Sequence, residues 1–252
     1  MTPGLTLRLR RLFPGAPHRL FAVPLDHSIS MGPVDGLETV GPLVTTLVRS
    51  GVDLVVVGKG AVREVAPVLG PRTLLGVHLS ASTALSPEAD RKVLVGTASD
   101  AIALGADLAS VQVNFGIAEE AEMLRDLGMT SDQCRALGLP LLCMAYVKRR
   151  EGAPTPEEIR HACRAAADLG ADLVKTSYPG SIDELRRLVA TTPVPVLLGG
   201  GPKERDDASF LRRVEECMAA GAAGLCVGRN LFQRRPLEPL AREVADRLHP
   251  SR

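Results

Sequence analysis

Eight short runs that are apolar at nearly every position punctuate the chain: Phe21–Leu25, LVVVG after Asp53, Thr73–Leu79, LASVQV after Asp107, Leu139–Tyr146, LVKTS after Asp172, Val194–Leu198 and GLCVG after Ala223. Each is too short for a buried helix and lacks the polar alternation of a half-solvated strand, so each predicts a strand covered on both faces. Between them lie stripes at helical spacing, such as Leu37, Val40, Leu43, Val44, Leu47 and Val48, or Phe210, Leu211, Val214, Cys217 and Met218. A phrase recurs where helix gives way to strand: Ser50-Gly51-Val52-Asp53, Leu104-Gly105-Ala106-Asp107, Leu169-Gly170-Ala171-Asp172 and Ala220-Gly221-Ala222-Ala223. Its glycine suits the left-handed residue that closes a helix.

Eight strands alternating with helices at about 30 residues per unit predict a parallel α/β fold. At 252 residues, the pattern points to a single closed (β/α)8 TIM barrel. An open doubly wound sheet competes, but the glycine-rich nucleotide turn after the first strand is missing. No linker or composition shift divides the chain, so residues 1–252 read as one domain, with a lead-in over 1–18 and a tail over 249–252.

Thirty Lys and Arg stand against 29 Asp and Glu. This balance argues against nucleic acid or an anionic membrane as partner, so a bound anion must find a local site. Five cysteines, Cys134, Cys143, Cys163, Cys217 and Cys226, sit singly in apolar stretches and read as small buried side chains of a reducing cytoplasm. The start of the chain lacks the apolar core of a signal peptide, and no apolar run is long enough to span a bilayer. His27, His78 and His161 lack metal-ligand spacing, so neither a metal nor a cofactor is expected.

In such a barrel the chemistry belongs where strands run into the following loops. Lys175 lies inside an apolar strand between Val174 and Thr176. Burial there is expected to favour the neutral amine, as a nucleophile requires, although a structural ion pair would also explain it. Tyr146 shares a strand face with Leu142 and Met144 and offers a phenol for proton transfer, or simply caps the core. Asp26 ends the first strand, where a carboxylate holds a hydroxyl, accepts a proton, balances Lys175, or caps the following helix. Gly199-Gly200-Gly201 and Gly228-Arg229-Asn230 fall in the last two strand-to-helix loops, where barrels bind phosphate through backbone amides, with Arg229 and Lys203 positioned to add charge. Lys59 and Lys148 also follow strands; the charged surroundings of Lys148 suggest a solvated loop.

Several motifs in order resemble the archaeal-type class I fructose-bisphosphate aldolases and the related 2-amino-3,7-dideoxy-D-threo-hept-6-ulosonate synthases. They are Pro24-Leu25-Asp26-His27, Gly32-Pro33, Gly36-Leu37, His78-Leu79-Ser80, Gly138-Leu139-Pro140-Leu141, Ala145-Tyr146, Gly170-Ala171-Asp172-Leu173-Val174-Lys175-Thr176, Gly199-Gly200-Gly201-Pro202-Lys203, and Gly221-Ala222-Ala223-Gly224 leading to Val227-Gly228-Arg229-Asn230-Leu231-Phe232-Gln233. The resemblance spans nearly the whole chain. It implies an imine-forming Lys175, an acid/base Tyr146, an active-site Asp26, phosphate loops containing Gly200, Gly201, Gly228 and Arg229, and a homo-oligomer, in this group often a decamer. His27 and Lys203 become possible substrate contacts. The segment after Asp26 lacks an acidic residue before Gly32-Pro33 and looks closer to the heptulosonate synthases. Val147-Lys148-Arg149-Arg150 stands where the aldolases often have Pro-Arg-Gly.

The expected activity is a metal-independent class I aldol reaction through a lysine Schiff base. Its partners would be a phosphorylated ketone of the dihydroxyacetone phosphate type and an aldehyde, with aspartate semialdehyde the first choice. Glyceraldehyde 3-phosphate, giving a fructose-1,6-bisphosphate aldolase, is the runner-up. A phosphate-binding barrel acting as sensor or scaffold is the non-catalytic alternative.

Overall fold

The computed structural model describes residues 2–14 and 19–250. Parts of the predicted lead-in (1 and 15–18) and tail (251–252) lie outside them. Eight parallel strands close into a barrel: β1 (Leu20–Pro24), β2 (Leu54–Gly58), β3 (Leu74–His78), β4 (Leu108–Phe115), β5 (Leu141–Val147), β6 (Leu173–Thr176), β7 (Val196–Gly199) and β8 (Gly224–Cys226). Each pairs with its successor, and β8 closes against β1. This is the (β/α)8 TIM barrel that the periodicity predicts. The four recurrent glycines end their helices at positive φ, 84° at Gly51, 84° at Gly105, 96° at Gly170 and 83° at Gly221, a region that a Cβ disfavours.

Strand alternation sorts the apolar residues into two cores. Val23, Val55, Val57, Val174 and Val196 face the helices, whereas Ala22, Leu54, Val56, Leu108, Leu142, Leu173 and Leu197 fill the interior. The lead-in is more than an approach. Residues Pro3–Leu12 form a helix whose N-cap Thr2 hydroxyl accepts from the Leu5 N–H at 3.3 Å. Its last residue, Leu12, is fully buried in the inner core, with Leu9 and Phe13 packed against the same cluster. The apolar amino-terminal ends of the strands would otherwise meet water, and this helix stoppers them.

Two further features depart from the periodicity. Leu37 is buried but precedes its helix, which runs Val40–Arg49, because the chain first turns at Gly36 with φ 88°. After β3, the two-residue strands Ser80–Ala81 and Val93–Leu94 pair antiparallel and hold the intervening segment at the mouth of the barrel, an element too short to leave a periodic signal. Among the described residues, no helix is long and apolar enough to cross a membrane.

Leu12→Ala is expected to cost about 2–5 kcal/mol, the range for a buried leucine whose site collapses only partly. Urea denaturation checks this, and an unchanged midpoint would mean that the helix does not stopper the barrel.

Candidate active site

The carboxyl ends of the strands open into a cavity of about 690 Å³, lined by Asp26, His27, Tyr146, Lys175, Gly200, Gly201, Gly228 and Arg229 among others. Register accounts for the convergence. Lys175 pairs with Met144 across β5 and β6 and lies two residues beyond the inward-facing Leu173, so its side chain enters the interior. Tyr146 lies two residues beyond Met144 on the same face, and Lys175 Nζ is 5.9 Å from its ring centroid. Gly199, on the inward face of β7, leaves the space they share. A Cβ there would stand 3.4 Å from Tyr146 Oη, 3.5 Å from Lys175 Cε and 3.0 Å from the Thr176 carbonyl oxygen.

Asp26 occupies the N-cap position of the short helix His27–Met31 but makes no side-chain cap hydrogen bond, so the capping alternative does not hold. Its carboxylate instead lies 3.7 Å from His78 Nε2 and 3.9 Å from His27 Nδ1. Burial alone would raise Asp26, but His78, His27 and Lys175 bring it below the ordinary carboxylate value. His78 is buried and held at both ring nitrogens, with Nδ1 2.8 Å from Ser110 Oγ and Nε2 3.1 Å from Ser80 Oγ. Desolvation lowers its pKa.

One expectation is overturned. Burial does push the Lys175 amine down, as anticipated, yet Cys226, Tyr146 and Asp26 favour the charged form, Tyr146 also by a hydrogen bond, and the net direction is upward. Burial pushes the Cys226 thiol up as well, so Asp26 is the counter-charge present at neutral pH. Desolvation does not act alone where a carboxylate shares the cavity.

Beside them at the mouth, Asn230 is fully buried and ties the two glycine loops together. Its Nδ2 donates to the carbonyls of Gly200 (2.9 Å) and Pro202 (3.0 Å), and its Oδ1 accepts from the Glu204 N–H at 2.7 Å. Gly228 admits no side chain: a Cβ would meet His27 Cε1 and Phe232 Cε1 at 2.8 Å and the Pro24 carbonyl oxygen at 3.0 Å. His27 packs edge-on to Phe232, with ring centroids 5.2 Å apart. Desolvation lowers its pKa to about 4, so the ring is neutral at pH 7.

Not every expected residue joins. Lys203 is exposed and donates to the Gln233 carbonyl at 2.8 Å, away from the cavity lining. Lys59 donates to the Val95 carbonyl and also lies off the lining. Lys148 is the reverse case, lining the cavity and paired with Asp90 at 2.7 Å rather than merely solvated. His78, Lys92, Gln112 and Asn230 are the residues that sequence reasoning left without a role. His78 ends β3, and Asp26 lies just past the end of β1, so the strand-end rule applied to every strand finds it. Among the described residues, no group of three His, Cys, Asp or Glu is arranged to hold a metal.

A closed parallel barrel with a lysine rising into a cavity at its carboxyl-terminal mouth is an enzyme architecture. The DeoC/LacD family aldolase model matches residues 20–234. A 2-amino-4,5-dihydroxy-6-oxo-7-(phosphonooxy)heptanoate synthase of Streptomyces griseus is 40% identical over 248 residues, covering 98% of this chain and 90% of that protein. The 2-amino-3,7-dideoxy-D-threo-hept-6-ulosonate synthase 1 of Archaeoglobus fulgidus is 41% identical over 214 residues, or 85% and 80% of the two chains. Among solved structures, an archaeal fructose 1,6-bisphosphate aldolase has a TM-score of 0.87 at 29% identity, over 98% of this chain and 100% of that one. An archaeal fructose-1,6-bisphosphate aldolase whose catalytic Lys is covalently bound to the carbinolamine intermediate of the substrate has a TM-score of 0.86 at 28% identity, over 97% and 99%. The chain belongs to the DeoC/LacD aldolase family, and it is an aldolase.

The depressed His27 has a consequence for stability. Between about pH 6.5 and pH 4 the unfolded chain binds a proton on this residue that the folded chain refuses. Stability therefore falls as the pH drops through that window, by at most about 3 kcal/mol from this group. His78 adds in the same direction. Urea denaturation at a series of pH values should show a shallower fall for His27→Gln than for the unsubstituted protein; equal slopes would mean that His27 is not held neutral.

Proposed function

We propose that Lys175 forms a Schiff base with dihydroxyacetone phosphate and that the resulting enamine adds to aspartate semialdehyde. The observation that carries this reading is the Lys175 side chain entering the cavity beside Tyr146 and within electrostatic reach of Asp26. Lys175 reacts as the free amine, with Asp26 holding the proton that it gives up. The free amine adds to the ketone carbon, the carbonyl oxygen gains one proton from the nitrogen and one from Asp26 and departs as water, and an iminium remains. Loss of a proton from the adjacent hydroxymethyl carbon gives a neutral enamine, so no bare carbanion forms. The enamine carbon attacks the aldehyde, Tyr146 protonates the new alkoxide, and water releases the product from Lys175.

The name of the Streptomyces relative supports these substrates. Cutting its seven-carbon product between the hydroxyl-bearing carbons 4 and 5 leaves a three-carbon phosphorylated hydroxyketone and a four-carbon amino-acid aldehyde. The amides of the loops at Gly200, Gly201 and Gly228, with Arg229, would receive the donor's phosphate and spend its binding energy on orienting the reacting carbon. Glyceraldehyde 3-phosphate is the second acceptor to consider, on the likeness to the archaeal bisphosphate aldolases.

Borohydride reduction with dihydroxyacetone phosphate should add the mass of the reduced donor to Lys175, and Lys175→Ala should show neither adduct nor turnover; an adduct elsewhere would overturn the assignment. Tyr146→Phe is expected to lower kcat by about 100-fold or more, the usual share of a positioned acid/base, while still trapping donor. Full activity in that variant would remove Tyr146 from the mechanism. Offering both aldehydes with the same donor separates the two acceptors.

A further inference from the structure

Lys92 is a buried cation that the chemistry above does not use. It is 8% exposed yet lines the cavity. Its ammonium donates to Ser82 Oγ at 2.6 Å and Ser30 Oγ at 3.1 Å, which are neutral partners, and a lysine ammonium has three protons to give. Among the described residues, no carboxylate lies within ion-pair distance of it. A desolvated charge with no carboxylate in direct contact is costly, and its pKa is lowered, burial and then Lys148 outweighing the longer-range pull of Asp26 and Asp90. Such a group is a standing attraction for an anion entering the cavity.

Its place in the barrel says which part of the substrate that anion belongs to. In the closed strand order, β3 is four strands from β7, and β4 is four strands from β8. The segment carrying Lys92 follows β3 and packs onto the helix after β4, Glu120–Leu137, where the Lys92 N–H donates to Met123 Sδ at 3.4 Å. The glycine loops follow β7 and β8, opposite the backbone of this segment, from which the Lys92 ammonium reaches inward to Ser30 on the helix after β1. A donor held by its phosphate at those loops and by its ketone carbon at Lys175 therefore directs the incoming aldehyde toward Lys92.

Two residues earlier on the same segment stands Asp90, whose carboxylate lines the cavity and is paired with the Lys148 ammonium at 2.7 Å. Inward-facing residues of β4 fix its backbone. Asn114 Nδ2 donates to the Asp90 carbonyl at 2.6 Å, and Gln112 Nε2 donates to Asn114 Oδ1 at 2.9 Å. A flexible lysine head thus occupies the place beside Asp90 that a ligand ammonium would take.

We propose that Lys92 and Asp90 form a receptor for the amino-acid head of the acceptor, Lys92 binding its α-carboxylate and Asp90 its α-ammonium. The inference rests on the amino-acid aldehyde reading of the acceptor. It assigns acceptor selectivity to the segment between β3 and β4 rather than to the catalytic lysine or the phosphate loops. Lys148, displaced from Asp90 on binding, closes the outer side of the carboxylate.

The test uses the full chain, dihydroxyacetone phosphate and three aldehydes: aspartate semialdehyde, succinate semialdehyde, which lacks the amine, and propanal, which lacks both charged groups. In Lys92→Met, the kcat/KM for succinate semialdehyde relative to propanal should fall about tenfold or more, the loss expected for one charge-assisted contact, and Lys92→Arg should recover part of it. In Asp90→Asn, aspartate semialdehyde should lose against succinate semialdehyde, while the ratio of succinate semialdehyde to propanal holds. Lys92→Gln, which keeps hydrogen-bonding capacity toward Ser30 and Ser82, guards against a folding defect in the methionine variant. Unchanged ratios in both Lys92→Met and Lys92→Gln, with aspartate semialdehyde still condensed by the unsubstituted protein, would overturn the receptor and leave the acceptor reading standing. An unsubstituted protein that condenses glyceraldehyde 3-phosphate but refuses aspartate semialdehyde would overturn the acceptor reading and the receptor with it.

Discussion

A charged amine held away from water needs a counter-charge, and the mouth of this barrel is organised around that need. Lys175 is carried inward by strand register, and Asp26 answers it from β1. Asp26 can do so because its carboxylate leaves its own helix uncapped, with His27 and His78 against it. Both imidazoles are driven toward the neutral form by burial, so they add hydrogen-bonding capacity without competing as full cations. Removing the carboxylate would return Lys175 to the control of desolvation. In the proposed reaction the same carboxylate accepts the proton that must leave before the amine can attack.

The barrel also separates binding from reaction by angle around its axis. Glycines after β7 and β8 leave backbone amides bare, and Asn230 locks the two loops to one another. Reactive groups come from β1, β5 and β6. The segment between β3 and β4, clipped by its two-residue ribbon, brings Lys92 and Asp90 to the far side. In the proposed reaction an elongated substrate would meet the bare backbone of the glycine loops, Lys175 and a pair of opposite charges across one cavity. Beneath all of this, Leu12 closes the other end of the inner core, so the interior has a single wet end where a charge is tolerable.

Much of this was legible in the residues because it rests on local regularities. Apolar runs of strand length, helical stripes and a glycine before each strand declare the barrel, since backbone sterics and the two-residue strand period act on neighbours in the chain. The same period places Lys175 on the face of Leu173, and Tyr146 on that of Leu142 and Met144, so the inward direction of two key side chains follows from counting. The glycine loops were visible because a missing Cβ is written directly in the sequence.

What the residues could not declare were properties set by partners distant in the chain. The protonation of Lys175 depends on Asp26, 149 positions away in the numbering, and single-residue desolvation reasoning gave the opposite sign. Lys148 reads as solvated from its charged neighbours, yet the fold turns it against Asp90. Lys203 reads as a phosphate ligand from its glycine-rich context, yet it reaches a carbonyl outside the cavity. Periodicity and backbone freedom are local and therefore written along the chain. Burial, charge pairing and the facing of one loop by another are properties of three-dimensional neighbours, and only closure of the barrel decides them.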